Sequence, residues 1–585
     1  MKHFSFLVLK NLIPTFFATA ITLLRTLLAP IFVAKIHLYT TLMVAIIAHH
    51  TQEVFMLEKN KMSLFSLVML GLSSIIGSGW LFGAWEATTV AGPAAIISWI
   101  VGAIVIGAIA FNYVELGTMF PESGGMSHYA QYSHGSLLGF IASWSNWVSL
   151  VTIIPIEAVA AVQYMSSWPW AWANWTNRFM HHNEISTRGL LVVFAFIVVF
   201  TLLNFWSVKF LTRFTSFIAI FKLAIPLLTI IMLVSTGFHA ENFGHSVATF
   251  MPYGSAKIFA ATSISGIIFS YNAFQTVINV GSEIRDSKRN IGRGIAISLG
   301  ISIVIYLLLQ ITFIGAVSPA LIAKTGWHGL NFQSPFADLA ILLGIHWLAV
   351  LLYLDAFISP FGTGVSFVAS CARTLAALKQ NKHMPPIVGK MNHQYNIPRV
   401  AMAINAVVSM LLVSVFRSWG TLASVISTAT LIAYLTGPVT VMSLRKMAPD
   451  MNRPVHSPWM KVMAPLSFVL ASLATYWAMW PTTIKVIGVI MLGLPFYFYY
   501  EYRIHWENTW AQFKGSLWLI IYLALLSLIS FLGSREFNGI NVIPYPLDFV
   551  LISALALIFY YWGIISRFYS KYFSRAKRIN QDVQL

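Results

Sequence analysis

One cysteine, Cys371, stands among 585 residues, so no internal disulfide forms and cysteine usage says nothing about compartment. Charge is also scarce: 9% of the residues are charged, against about 25% in ordinary soluble domains. Acids are the rarer sign, 18 against 36 lysines and arginines. The resulting formal charge of +18 reads as topology rather than as a nucleic-acid ligand, because basic residues collect on the cytoplasmic side of membrane proteins. The parts of an enzyme or an ATP-driven pump are missing too. No glycine-rich loop leads into lysine and serine or threonine to cradle phosphate, and no nucleophile elbow or triad spacing occurs. The histidines, adjacent at His49–His50 and His181–His182, lack ligand spacing and cysteine partners. No catalytic residue, metal site or cofactor is expected.

What fills the chain instead is apolar, 58% of residues with a mean hydropathy of +0.75. This is the composition of a polytopic membrane protein. A span needs about 20 apolar residues, and such segments lie near 62–87, 93–117, 136–163, 189–206, 213–236, 257–281, 294–316, 345–373, 399–416, 420–444, 460–478, 483–500, 516–533 and 548–567. That makes about fourteen spans. All are expected to be helical, since a backbone in lipid must satisfy its own hydrogen bonds and the alternation of a barrel is absent.

With the segment at Met62 starting in the cytoplasm, the inner connections hold Arg285, Lys288, Arg289, Arg293, Lys379, Lys390, Arg445, Arg453, Lys514 and the tail cations Arg575, Lys577 and Arg578. The outer ones keep Arg178, Arg188, Lys257, Lys324, Arg417, Lys485 and Arg535. That asymmetry sets a cytoplasmic C-terminus, with 569–585 as a basic tail. Residues 1–61 form an N-terminal extension whose apolar runs are interrupted by Lys10, Arg25 and Lys35. It fits one more span, a loosely membrane-associated segment, or a translation start at Met56.

Two segments are punctuated. "GLSSIIGSGWLFG" (71–83) carries four glycines and three serines in a helix-length apolar run. Glycine in a helix costs about 1 kcal/mol relative to alanine, so Gly77 and Gly79 mark either a break lining a polar cavity or close packing through small residues. "IIFSYNAFQTVINVGSEIRDSKRNIGRGI" (267–295) places Ser270, Tyr271 and Asn272 in mid-span. Two interrupted helices five spans apart are the arrangement in which half-helix N-termini hold an anionic group and exposed carbonyls a cation. A zwitterionic amino acid supplies both.

These stretches, with "YVELGTMFPESGGMSHYAQ" (113–131) and "FISPFGTGVSFVASCARTLAALKQNKHMPPIVGKMNHQYNIPRVA" (357–401), resemble the amino acid–polyamine–organocation (APC) superfamily over most of residues 62–445. Asn272, Ala273 and Gln275 depart from its commoner aromatic/Gly-Phe-Glu pattern. "DAFISPFGTG" and the last four spans resemble the bacterial aspartate–proton symporter branch. The resemblance implies an all-α fold with a five-plus-five inverted repeat, a leucine-transporter-like core over 62–445, and about four further helices over 446–568. It implies that the amides of Gly77, Ser78 and Gly79 receive a substrate carboxylate, and that carbonyls around Ile75, Phe269 and Ser270 receive its ammonium. Phe269, Tyr271 and Phe274 would close over the bound molecule, or pack against lipid and neighbouring helices.

Ionisable groups inside spans cost roughly 2.5–3.5 kcal/mol each on insertion. Lys222, in "SFIAIFKLAIPLL", stands where the family's proton-coupled members resemble it in carrying a lysine, and is the candidate for proton coupling; the alternative is a lysine snorkelling to an interface. Glu115 is a structural or gating acid pairing with basic loops. Glu157 and Asp355 would carry protons, pair with a cation or select substrate; two acids beside a site oppose an acidic substrate unless protonated. The expectation is a proton-coupled amino-acid symporter of a bacterial inner membrane. An amino acid or amine exchanger is the alternative, and a non-transporting sensor ranks below both. Amino acid, proton and lipid bilayer are the partners.

Overall fold

The computed structural model describes residues 61–205, 208–392, 397–503 and 508–584. The readings of the N-terminal extension, including a start at Met56, lie outside them. The chain is an all-α polytopic membrane protein. The first helices are α1 (Leu64–Ile75), α2 (Gly79–Ala91), α3 (Ala95–Met119), α4 (Met126–Met165), α5 (Thr187–Leu203) and α6 (Val208–Thr236). A broken helix follows as α7 (Ser255–Ile264), α8 (Ile267–Tyr271) and α9 (Gln275–Asn279), then α10 (Ser287–Ala316), α11 (Pro335–Leu342), α12 (His346–Gln380) and α13 (Arg399–Val415). The rest are α14 (Trp419–Tyr434), α15 (Thr436–Met447), α16 (Met460–Tyr476), α17 (Thr482–Met491), α18 (Leu494–Arg503), α19 (Thr509–Leu532), α20 (Leu547–Ile565) and α21 (Lys571–Gln584). Each apolar segment found in the sequence overlaps a helix or helical stretch. Among the described residues, eight stretches are by themselves long and apolar enough to cross a membrane.

At the centre lies α4, buried at every residue, with α12 and α14 packed along it. Several of its hydroxyls bond locally: those of Ser143, Ser145 and Thr152 donate to carbonyls four residues earlier at 2.7 Å each. Such back-bonding leaves no hydroxyl unpaired in an apolar surround. The helix starts ten residues before the apolar segment that announces it, and Gly135 (φ 80°, ψ −170°) is the kink at that point.

The ends of the helices divide by charge. At the basic end, Arg445 grips Glu115 through Nε at 2.8 Å and Nη2 at 2.5 Å, and Arg453 stands 3.6 Å from the same carboxylate. Glu115 is 1% exposed, so this bidentate pair ties the end of α3 to the end of α15 away from bulk water. Arg453 also donates to the carbonyls of Leu444 and Ala448, at 3.0 and 2.7 Å, capping α15. At the opposite, lysine-poor end, a two-residue hairpin pairs Met180 with Ile185 and His181 with Glu184.

Candidate functional site

Helix α1 stops because Ile76 leaves helical geometry (φ −85°, ψ 87°), and α2 restarts only at Gly79. Across the gap the Gly77 amide reaches the Ile75 carbonyl at 3.1 Å, and that carbonyl also accepts from the Tyr306 hydroxyl at 3.0 Å. The Ser78 amide donates to both oxygens of Glu157, at 2.9 and 3.2 Å. A buried carboxylate thus sits on the N-terminal amide of α2, where the peptide dipole favours negative charge. A Cβ at Gly77 would lie 2.6 Å from Glu157 Oε1 and 3.1 Å from Thr363 Oγ1. Glycine is what lets α4 and α12 present these polar groups to the break.

From the other side comes Lys222 on α6, 0% exposed. Its Nζ donates to the Ser73 carbonyl at 2.7 Å and to Thr363 Oγ1 at 2.5 Å, bridging the last turn of α1 to α12. Lys222 is therefore not snorkelling to an interface. Two turns earlier on α12, Asp355 is 1% exposed and accepts from Ser359 Oγ at 2.9 Å. Of the ionisable residues singled out in the sequence, Lys222 and Glu157 meet at the first break, whereas Glu115 belongs to the ion pair at the basic end.

The second break falls earlier than its polar residues suggest. The sequence points to 269–273, but α7 ends at Ile264 and Gly266 takes left-handed geometry (φ 77°) before α8 begins. Ser270 is satisfied inside the new turn, its Oγ donating to the Gly266 carbonyl at 2.8 Å, so the chain stays helical there and tightens at Asn272–Phe274. Ser270 nevertheless lies against Gly79, where its Oγ leaves no room for a Cβ. The first break is thus in contact with the helical turn that follows the second.

The three aromatic candidates separate. Phe269 meets Trp419 edge-on at 6.1 Å. Tyr271 instead packs edge-on against Trp99 at 5.4 Å and Tyr306 at 5.6 Å. Phe274 lies against Tyr434 and Tyr113, at 5.4 and 6.4 Å. The latter two pack between helices. Trp419 covers the break: its Nε1 donates to Ser78 Oγ at 3.0 Å and its ring stacks on Phe82 at 5.2 Å. Nothing in the sequence marked this tryptophan; in the structure it opens α14 directly after Ser418, whose side chain caps the helix by accepting from the Thr421 amide.

Beyond Trp419 a cavity of about 580 Å³ reaches towards the lysine-poor end, lined by Trp85, Glu86, Gln163, Glu184, His328 and Trp480 among others. At the basic end the way is shut. The Gly124 amide donates to the Asn279 carbonyl at 2.9 Å, and Ser123 pairs with Val280 in an antiparallel bridge. Between these ends, Asn272 Nδ2 donates to Thr430 Oγ1 at 3.0 Å, and Thr430 meets Ser149 Oγ at 2.5 Å. The arrangement gathers a cation, a carboxylate and an aromatic ring around the first break, where the Ser78 amide and the Ile75 carbonyl are paired within the protein.

Known proteins resemble the chain over most of its length. A family model described as amino acid permease matches residues 62–500. The chain is 49% identical over 525 residues to the glutamate/serine transporter AimA of Bacillus subtilis (strain 168), covering 89% of this chain and 97% of that one. It is 35% identical over 509 residues to the aspartate-proton symporter of the same organism, covering 86% and 96%. To that organism's methylthioribose transporter it is 26% identical over 492 residues, covering 82% and 94%.

Proposed function

The chain belongs to the amino acid permease family, and from that premise we propose that it is a proton-coupled symporter of small polar or acidic amino acids, working by alternating access in a bacterial inner membrane. It is a membrane transporter and not an enzyme. The relatives named for glutamate, serine and aspartate support the substrate class, and the aspartate-proton symporter supports the coupling ion. In this reading residues 62–445 are a five-plus-five transport core, 446–568 are accessory helices, and the basic end with the C-terminus faces the cytoplasm.

The observation that carries the reading is Lys222 bridging the Ser73 carbonyl and Thr363 beside a carboxylate already seated on the Ser78 amide. An arriving amino acid brings its own carboxylate to the amides of Gly77, Ser78 and Gly79, and its ammonium to carbonyls near Ile75, Phe269 and Ser270. Two carboxylates at one helix terminus repel, so substrate enters with a proton that the Lys222–Glu157 pair takes up as a unit. Phe269 and Trp419 close the outer side, while Tyr271 and Phe274 hold the second broken helix against its neighbours. When the basic end opens, loss of that proton restores the repulsion and expels the substrate. Asp355 adds a further acid next to this pair, and Glu115 holds the cytoplasmic end. For a zwitterionic substrate each proton contributes about 2.3 kcal/mol per 100 mV, enough for roughly 50-fold accumulation, whereas a singly anionic one entering with one proton moves no net charge and is driven by the pH difference.

The test is uptake of labelled glutamate, aspartate and serine into proteoliposomes with and without an inward proton gradient, for native protein and Lys222→Ala. Gradient-driven accumulation is expected in the native protein and its loss in the variant. Accumulation that instead required an amino acid preloaded inside, whatever the gradient, would replace symport with exchange.

A further inference from the structure

The sequence marked residues 569–585 only as a basic tail, and the transport reading makes no use of it. In the structure its helix α21 is docked across the end that must open to the cytoplasm. Ahead of the helix, the Phe568 amide donates to the Ser133 carbonyl at 3.1 Å and the Tyr569 hydroxyl to the Met447 carbonyl at 2.9 Å. One contact from the helix then reaches the short connection between α3 and α4, at Glu122. Arg575 Nη2 pairs with Glu122 Oε2 at 2.9 Å, and Tyr132 donates its hydroxyl to the other oxygen of Glu122. Asn580, 2% exposed, donates to the Met119 carbonyl at 3.4 Å and to the Asn452 carbonyl at 2.8 Å, while its Oδ1 accepts from the Asn452 amide at 2.9 Å.

The connection held in this way is the one that shuts the basic end. Glu122, gripped by Arg575, is followed directly by Ser123 and Gly124, which pair with Val280 and Asn279 at the end of the broken helix. Pro121 on its other side packs against Gly281. Any opening at this end must part residues 121–124 from 279–281. The tail helix fastens the first of these segments to α4 and to the loop after α15, so it resists that separation.

We propose that α21 is a brake on cytoplasmic opening, clamping the connection after α3 over the broken helix through Arg575 on Glu122, and fixing the end of α3 that leads into it through Asn580 on Met119. The proposal rests on the alternating-access reading, in which this end opens once per cycle. Release of the tail then shifts the resting population towards the open-inward form, because each anchor removed lowers the cost of parting the two segments.

The experiment reads that population directly, without reference to any substrate. Thr374, 2% exposed, lines the small crevice at this end with Thr276, Asn279 and Val280. In a Cys371→Ala background, Thr374→Cys is labelled with a membrane-impermeant maleimide in inverted vesicles. Labelling is expected to be slow with the tail intact and to rise by about threefold or more in Arg575→Glu and separately in Asn580→Leu. Arg575→Lys, which keeps the charge, should label as the tail-intact protein does. Unchanged labelling in Arg575→Glu or Asn580→Leu would overturn the brake, and so would an equal rise in Arg575→Lys. Failure of the symport reading would register elsewhere, as absent gradient-driven uptake while these labelling differences persist.

Discussion

At the scale of single residues, the site turns on Glu157 holding the Ser78 amide with both oxygens. Glutamine at this position keeps an acceptor for the amide but can neither carry a charge nor take a proton. Glu157→Gln is therefore expected to retain exchange of labelled for unlabelled amino acid across proteoliposomes while losing accumulation driven by a proton gradient; accumulation at the native level would remove Glu157 from the coupling step. Gly77, Ser78 and Gly79 were legible in the sequence because glycine and serine are out of place in an apolar helix. Lys222 was legible because a charge in a span is costly. Thr363 and Trp419 were not. A threonine in a buried helix ordinarily bonds back to its own backbone, and Thr363 does so to Ser359 at 3.1 Å as well as accepting from Lys222. A tryptophan near the end of a span ordinarily belongs to the interfacial belt, and only its three-dimensional contact with Ser78 separates Trp419 from that background.

At the scale of elements, helix existence followed from apolar length, but the second break did not fall where the polar residues lay. Ser270 pairs within its own turn and Asn272 with Thr430 of α14, so polarity there marks hydrogen bonding inside and between helices rather than a broken backbone. The backbone signal was Gly266, whose left-handed geometry (φ 77°) a side chain disfavours and whose Cβ would lie 2.6 Å from the Trp419 ring. Gly266→Ala is expected to lower stability by about 1–3 kcal/mol, from the left-handed strain and the overpacking together. On α3, a methyl group added at Gly107 would meet no atom within 4 Å, so Gly107→Ala should be neutral or stabilising by up to about 1 kcal/mol. Thermal unfolding of the two variants in detergent separates these outcomes; equal melting temperatures would show that Gly266 is not holding the break. The contact of Ser270, one turn past the second break, with Gly79 at the first depended on tertiary packing that no single segment encodes.

For the whole molecule, the basic end is where loops, tail and broken helix meet, and one histidine there reports on their packing. His383, in the loop after α12, is fully buried, and neither ring nitrogen has a hydrogen-bond partner among the described residues. Its ring stands edge-on to Phe140 at 5.5 Å and packs at 5.4 Å from Tyr497, so two distant parts of the chain close around it. Burial, with a smaller contribution from the Lys571 ammonium of the tail, pushes its pKa down to about 3. The folded protein therefore keeps His383 neutral, while the unfolded chain binds a proton as pH falls through about 6.5. Stability is then unaffected by this group above that pH and is lost below it, by up to about 1.4 kcal/mol per pH unit, until the folded pKa is reached. His383→Phe retains an aromatic ring without the titrating group. Melting temperatures measured from pH 7 to 4.5 should fall less steeply in that variant than in the native protein. Parallel profiles would mean that protons enter the loop without unfolding it, and that the junction between tail, loop and α4 opens to water while the rest of the molecule stays folded.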